Sequence, residues 1–216
     1  GGTSPYSYSW SPSGGVLATA SSLVAGNYTV TVTDANSCTI TSTAIITQPT
    51  ALSASTTNTP VSCNGGNNGT TSVTATGGTS PYSYSWSPSG GTSATVSSLV
   101  AGNYTVTVTD AHSCTVTSTA TIIEPSILNA VSSSTAATCG NSNGTASVVA
   151  SGGTPAYSYV WAPTGGTGST ITGVSSGTFT CTITDANSCS FTVSAAVSNS
   201  GSSTVSIASV NNVSCF

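Results

Sequence analysis

Hydrophobic side chains alternate with hydroxyl-bearing ones along several short stretches of this chain. The clearest stretch is "NYTVTVTD" at 103–110, where Tyr104, Val106 and Val108 fall on one face of an extended backbone and threonines on the other. This period of two residues is typical of a strand with one buried face, and no stretch has the period of an amphipathic helix. We therefore predict an all-β protein whose Ser/Thr faces meet water.

Turn-forming sequences separate the alternating stretches at close intervals. The segments "NGGNNG", "GGTSP", "SPSGG" and "DAHS" consist of residues that supply the backbone dihedrals of turns. The strands predicted between residues 50 and 125 are 52–56, 70–76, 82–86, 94–96, 103–110 and 114–123. Six short strands in a segment of this length predict a small β-sandwich of immunoglobulin-like type.

An aromatic decamer shows that the sandwich is repeated in tandem. "GGTSPYSYSW" occurs at 1–10 and again at 77–86, and a looser copy, "GGTPAYSYVW", occurs at 152–161. The tryptophans that end the copies, Trp10, Trp86 and Trp161, are separated by 76 and then 75 residues. We predict the C-terminal part of one repeat at 1–49, complete repeats at 50–125 and 126–200, and the start of a further repeat at 201–216. The chain is thus expected to be a piece of something longer.

The alternation also predicts which aromatic residues form the core of each repeat. Trp10, Trp86, Trp161 and Tyr104 occupy inward positions of their strands. A domain of this size buries only about 60% of the surface that its unfolded chain exposes, so covalent fastening would help it.

Six of the seven cysteines follow the repeat and are candidates for structural disulfides. Three come directly after a "TDANS" or "TDAHS" turn, and three lie near the start of a repeat: Cys38, Cys114 and Cys189 in the first set, Cys63, Cys139 and Cys215 in the second. We rank a bond within one repeat, Cys63 to Cys114, slightly first. Bonds between neighbouring repeats stay open, because the two cysteines of one immunoglobulin-like sandwich can lie at opposite ends, beyond the roughly 7 Å limit between Cα atoms.

The seventh cysteine departs from this pattern. Cys181 replaces Val30 and Val106 at an inward strand position. We interpret it as a small buried hydrophobic residue.

Charge is almost missing from the chain. It has no Lys or Arg and only four acidic residues, whereas about a quarter of an ordinary globular chain is charged. Nucleic-acid binding requires cations that neutralise phosphates, so this class is excluded, as is a polybasic membrane contact. No apolar run reaches the roughly 20 residues of a membrane helix. Cysteine use in a turn-rich, small-domain chain favours an oxidising compartment, and we expect an exported protein.

Residues that could carry chemistry are too few for an enzyme. His112 is the only histidine and is replaced by asparagine at the equivalent positions 36 and 187. No paired carboxylates and no lysine are present, so neither a general base nor a nucleophile relay can be assembled. Each repeat offers one recurring acid, Asp34, Asp110 or Asp185, where Ca²⁺ wants six to eight oxygens. We predict no enzyme, no cofactor and no metal, and we expect each Asp to accept N–H bonds within its own turn.

Several motifs together resemble a known family. "GGTSPYSYSWSPSGG", "SSLVAGNYTVTVTDANSC" and "IITQP", preceded in a full unit by "VSCNGGNNGT", resemble the SprB-type repeat of long cell-surface adhesins in gliding Bacteroidetes. That repeat is similar to PKD-type immunoglobulin-like domains. The resemblance covers essentially the whole chain and implies export by the type IX system and a role in adhesion or gliding.

These observations lead us to expect a cell-surface stalk or adhesin segment whose partners are the neighbouring repeats of the same chain. An alternative is the subunit of a self-assembling extracellular filament made of copies of itself, because sheet edges here lack the charges that normally guard them. A carbohydrate-binding module on surface glycans is the third possibility, since Tyr and Trp can stack on sugars.

Overall fold

The computed structural model describes residues 1–201, and every regular element in this range is a β-strand. The predicted all-β class is therefore confirmed. Cys215 and all but the first residue of the predicted further repeat at 201–216 lie outside the described residues.

The third repeat is a complete sandwich of two three-stranded sheets. One sheet has the order β10–β12–β14 and the other the order β13–β15–β16, and a short parallel pair, β11 with β17, adjoins them. The strands are β10 (Asn129–Thr135), β11 (Ala137–Thr138), β12 (Gly144–Ser151), β13 (Ser158–Ala162), β14 (Thr170–Val174), β15 (Gly177–Thr184), β16 (Ser190–Val197) and β17 (Asn199–Ser200). This arrangement is the immunoglobulin-like sandwich that the strand pattern predicts.

The core of the third repeat is formed by alternate residues from both sheets. Trp161 on β13 is 1% exposed and lies opposite Cys181 of β15 in the antiparallel register. Ala146 and Val148 of β12 join the same buried cluster from the other sheet, and Phe179 and Ile183 flank Cys181 on its strand. The repeated decamer therefore supplies the central aromatic side chain of the sandwich.

Cys181 is completely buried in this cluster. Burial raises the pKa of its thiol, because the charged thiolate loses its hydration there. Its place in the core agrees with the interpretation of Cys181 as a small hydrophobic residue.

The second repeat has the same strand order, and all six predicted strands are present. Its sheets are β4–β5–β7 and β6–β8–β9. The strands are β4 (Ser53–Thr59), β5 (Gly69–Thr76), β6 (Ser83–Ser87), β7 (Thr95–Leu99), β8 (Gly102–Thr109) and β9 (Thr115–Ile122). On β8 the predicted inward residues Tyr104, Val106 and Val108 are buried, and the threonines between them are partly exposed.

Residues 1–49 form one three-stranded sheet, β1 (Ser7–Ser11), β2 (Gly26–Thr33) and β3 (Thr39–Ile46), in that order. Tyr28 is 3% exposed, whereas Trp10 is only half-buried. All of β3 is exposed, including Ile40 and Ile45.

The chain divides into two compact units that do not coincide with the sequence repeats. The first comprises Gly1–Ala54, Ala75–Ser83 and Val108–Val116, and the second comprises Ser55–Thr74, Tyr84–Thr107 and Thr117–Phe216. The first unit holds the turns after β2 and β8, and the second holds both sheets of the third repeat together with the loop that follows β4. The repeat boundaries derived from the sequence stay a prediction.

Candidate functional site: a disulfide junction between repeats

An aspartate organises the turn that leads into the last long strand of the third repeat. Asp185 Oδ1 accepts the backbone N–H groups of Asn187 and Cys189, each at 2.9 Å, and Oδ2 accepts the N–H of Thr154 at 2.8 Å. The Thr154 bond is the largest cause of a lowered Asp185 pKa; burial opposes it, and the Cys189 and Asn187 bonds add to it. The carboxylate thus fixes the backbone that presents Cys189.

The same cage recurs in the other two copies of the turn. The sequence predicted the two N–H bonds from within each turn, but not the third bond, from Thr3, Thr79 or Thr154. We call residues 34–38, 110–114 and 185–189 the Asp turns. The Asp34 carboxylate accepts the N–H groups of Thr3, Asn36 and Cys38 at 3.0, 2.9 and 2.8 Å. The Asp110 carboxylate accepts the N–H groups of Thr79, His112 and Cys114, each at 2.9 Å. The Thr3 N–H is the largest cause of a lowered Asp34 pKa and the Thr79 N–H the largest cause of a lowered Asp110 pKa, whereas burial opposes both shifts. Within residues 1–201 no group of three potential metal ligands is found.

One glycine is required for the cage to close. A Cβ placed on Gly153 would lie 2.6 Å from Asp185 Oδ2, and its φ of +60° is in the left-handed region. The "GG" before each aromatic strand therefore lets the backbone approach the carboxylate.

A second loop, which follows β4, presents Cys63. Asn68 braces it, since its Oδ1 accepts the Ser62 N–H at 2.9 Å and its Nδ2 donates to Ser62 Oγ at 2.7 Å. Asn64 Nδ2 donates to the Pro125 carbonyl at 3.0 Å, and the Glu124 carboxylate accepts the Gly65 N–H at 2.6 Å. We call residues 62–68 and the equivalent residues 138–143 the cysteine loops.

The cysteine loop of the second repeat and the Asp turn of the third are joined covalently. Cys63 and Cys189 form a disulfide with a Cα–Cα distance of 5.7 Å across 126 positions of sequence. Beside the bond, Asn187 Nδ2 donates to the Ser62 carbonyl at 2.9 Å and also to Thr154 Oγ1 at 2.9 Å. This disulfide junction therefore combines a covalent bond with the Asn187 side-chain amide, which donates hydrogen bonds both to the cysteine loop and to its own repeat.

The structure corrects the pairing that the sequence ranked first, because Cys63 is bonded to the neighbouring repeat and not to Cys114. The third repeat shows the reason. Cys189 directly precedes β16, whereas the Cys139 N–H binds the Ser200 carbonyl beyond the far end of that strand. Eight strand residues span about 26 Å, far beyond the reach of a disulfide. Cys139 and Cys189 therefore lie at opposite ends of the third repeat.

The other described candidates are unbonded. Cys38 and Cys114 are exposed at their Asp turns, and Cys139 is exposed in its cysteine loop. Sequence reasoning missed Asn187 and Asn68, which align and brace the junction. The signal that could have identified Asn187 is its recurrence as Asn36 in the first Asp turn.

The core aromatics are placed where they have little access to a ligand. Trp86 and Trp161 are 2% and 1% exposed, and their indole N–H groups donate to the carbonyls of Ser93 at 3.0 Å and Gly168 at 2.9 Å. Tyr104 is also buried, and Trp10 is half-buried with its N–H on the Leu17 carbonyl. Sugar stacking needs an open ring face, which the two buried tryptophans do not offer.

Acid is expected to weaken the Asp turns. Because the Asp185 pKa is lowered on folding, its contribution to stability is present above the unfolded value of about 3.9 and is lost as pH falls through the folded value. We expect the melting temperature, followed by circular dichroism, to fall below about pH 4, within the titration range of an unperturbed Asp.

The variant Asp185→Asn provides the matched comparison. The asparagine side chain has only one acceptor oxygen, so the variant should have a lower melting temperature than the wild type at pH 7. The difference in melting temperature between the two proteins should shrink as the pH is lowered to 3. A difference that is constant over this range would show that the charge of Asp185 is not what holds the turn.

The chain matches a known family at two places. The model described as "SprB repeat" matches residues 55–91 and 131–166, one segment in each complete repeat. SprB repeats occur in cell-surface proteins, and they are structural immunoglobulin-like repeats, which are not enzymes. The match supports a structural, non-enzymatic cell-surface repeat. No curated protein matches the chain.

Two solved structures that match the chain at low overall similarity are arrays of domains. The N-terminal eight Ig domains of Down Syndrome Cell Adhesion Molecule are 12% identical over 82% of this chain and 28% of that one, with a TM-score of 0.42. Domains 4–9 of surface layer protein SbsC are 19% identical over 90% and 39%, with a TM-score of 0.28. The chain thus spans less than half the length of either structure.

In the part of the chain that the structure describes, no helix has the length and apolar character needed to cross a bilayer.

Proposed function

The chain carries SprB-type repeats, and from this premise we propose that it is a non-enzymatic segment of an extracellular cell-surface stalk or adhesin. In this role, the repeats extend a binding region away from the cell. The observation that carries the proposal is the Cys63–Cys189 bond, which links two successive repeats covalently. A stalk has to transmit force from one domain to the next, and a covalent link does this without depending on a large interface between the repeats.

The surface of the repeats supports a passive role. Of the four acids in the chain, three are enclosed by the N–H groups of their own Asp turns. Long-range steering of a charged partner requires a field that such a surface does not generate. The partly exposed threonines of β8 and β15 instead offer hydroxyl groups to water.

Electron microscopy of the purified chain tests this proposal. We expect isolated, string-like particles. When several copies of the chain are fused in one polypeptide, the length of these particles should grow in proportion to the number of copies. Compact particles of unchanged length would contradict a stalk. A glycan array with specific binding by this segment would instead assign it the carbohydrate role.

A self-assembling filament is the second candidate, favoured by one observation. Strand β3 is the edge of its sheet, and none of its residues is charged. An unguarded edge can pair with another strand. Ordered fibres with a repeating subunit contact, formed under reducing conditions as well, would favour this candidate over the stalk.

A further inference from the structure

Each half of the Cys63–Cys189 junction has an unbonded copy elsewhere in the chain. In the second cysteine loop, Asn143 Oδ1 accepts the Thr138 N–H at 2.9 Å and its Nδ2 donates to Thr138 Oγ1 at 2.8 Å. Asn68 makes the same two bonds to Ser62 in the bonded loop. Cys139 is thus presented by the same bracing as Cys63, and it is exposed.

The complementary half is present twice more, as the Asp turns that end in Cys38 and Cys114. Both turns have the carboxylate cage of the bonded turn, and both cysteines are exposed. The residue before the cysteine has a positive φ in all three: 66° at Ser37, 67° at Ser113 and 66° at Ser188. The backbone before the cysteine is therefore alike in all three turns.

We propose that the cysteine loop around Cys139 is a docking site for the Asp turn of a second copy of this chain, and that a Cys139–Cys38 disulfide locks the contact. The Cys63–Cys189 junction is the template for this contact, with Asn36 in the place of Asn187. The inference rests on the bonded junction alone and does not depend on the stalk role.

The residue at the middle of the Asp turn selects Cys38 over Cys114. At the bonded junction, one side-chain amide donates both to the loop carbonyl of Ser62 and to Thr154 Oγ1. Asn36 has the same amide, whose Nδ2 already donates to Thr3 Oγ1 at 3.1 Å. His112 stands at this position in the other turn, and no imidazole nitrogen carries two protons. The Cys114 turn therefore lacks one of the two bonds.

Two local features distinguish the unbonded loop from the bonded one. The Thr138 carbonyl already accepts the Asn141 N–H at 2.8 Å, but a carbonyl oxygen has a second lone pair for Asn36. The Gly201 carbonyl contacts Cys139 Sγ. Gly201 is exposed and must move aside for the incoming turn.

The bond requires an oxidant, and a small-molecule disulfide such as oxidised glutathione supplies it. The Cys38 thiolate attacks the glutathione disulfide, which breaks that bond, forms a mixed disulfide and releases one glutathione thiolate. The Cys139 thiolate of the second copy then attacks the Cys38 sulfur and releases the second glutathione thiolate. Two protein thiols lose two protons and two electrons, and one glutathione disulfide becomes two thiols.

The test uses the full chain with its Cys63–Cys189 bond intact, incubated with oxidised glutathione and analysed on a non-reducing gel. We expect a ladder of multimers that reducing agent removes. Peptide mapping with a protease other than trypsin should identify the Cys38–Cys139 link, since the chain has no Lys or Arg. Cys139→Ser should remove this link and the ladder, whereas Cys114→Ser should leave both, because Cys114 is exposed and takes no part in the link.

An exchange of the two turn residues tests the recognition itself. We expect Cys38-linked peptides to exceed Cys114-linked ones about fivefold, the factor for one hydrogen bond of about 1 kcal/mol. The double variant Asn36→His/His112→Asn should reverse the preference, and urea should abolish it. A chain that stays monomeric, a ladder that persists in Cys139→Ser, or equal use of Cys38 and Cys114 by the folded wild type would each overturn the proposal.

Discussion

Reduction of the Cys63–Cys189 bond is expected to lengthen the fully stretched chain by about 440 Å. The bond joins residues 126 positions apart, and an extended residue contributes at most roughly 3.3 to 3.6 Å. While the bond is intact, residues 64–188 are closed in a loop that pulling on the chain ends does not extend. Single-molecule force spectroscopy of the chain, with and without reductant, measures this difference directly.

Matched variants separate this bond from the other thiols. Cys63→Ser/Cys189→Ser should give the long extension without reductant, whereas Cys114→Ser should behave like the oxidised wild type, because Cys114 is unbonded. Equal extension of oxidised and reduced wild type would show that the junction does not carry force, and the proposed stalk role would lose its main support.

Replacement of Trp161 by alanine is expected to lower the free energy of unfolding of the third repeat by about 3 to 5 kcal/mol, the usual cost of removing a buried aromatic side chain. Trp161 is 1% exposed at the centre of the core cluster, and its indole N–H bond to the Gly168 carbonyl would also be lost. Denaturant unfolding followed by circular dichroism gives the change in stability. Hydrogen exchange should show that the loss of stability affects strands β13 and β15.

The neighbouring Val160 provides the control for this substitution. It lies on the same strand but is 57% exposed, so Val160→Ala should change stability by no more than about 0.5 kcal/mol. If the two substitutions cost the same, the alternation along β13 would not describe the core, and the aromatic decamer would need another explanation.

Much of the fold follows from local patterns that the sequence displays. The period of two residues on β8 identified Tyr104, Val106 and Val108 as inward residues, because side chains on a strand alternate between its faces. The Asp turns were also predictable, since an aspartate followed by Ala-Asn-Ser or Ala-His-Ser at a strand end has N–H donors within its own turn. The spacing of the tryptophans then gave the tandem organisation.

Trp10 shows where the same reasoning stops. Its strand has the same sequence as β6, yet Trp10 is half-buried while Trp86 is buried. Alternation tells which face of a strand a side chain occupies, but the packing against that face decides how far it is covered.

The sequence by itself determined the all-β class, the repeat, the inward residues and the near absence of charged groups, because each depends on neighbours within a strand or turn. Only the tertiary structure decided which cysteines are bonded. Disulfide pairing depends on distances between residues far apart in the chain, and in the third repeat β16 places Cys139 and Cys189 at opposite ends. The partner of Cys63 is therefore Cys189, in the next repeat.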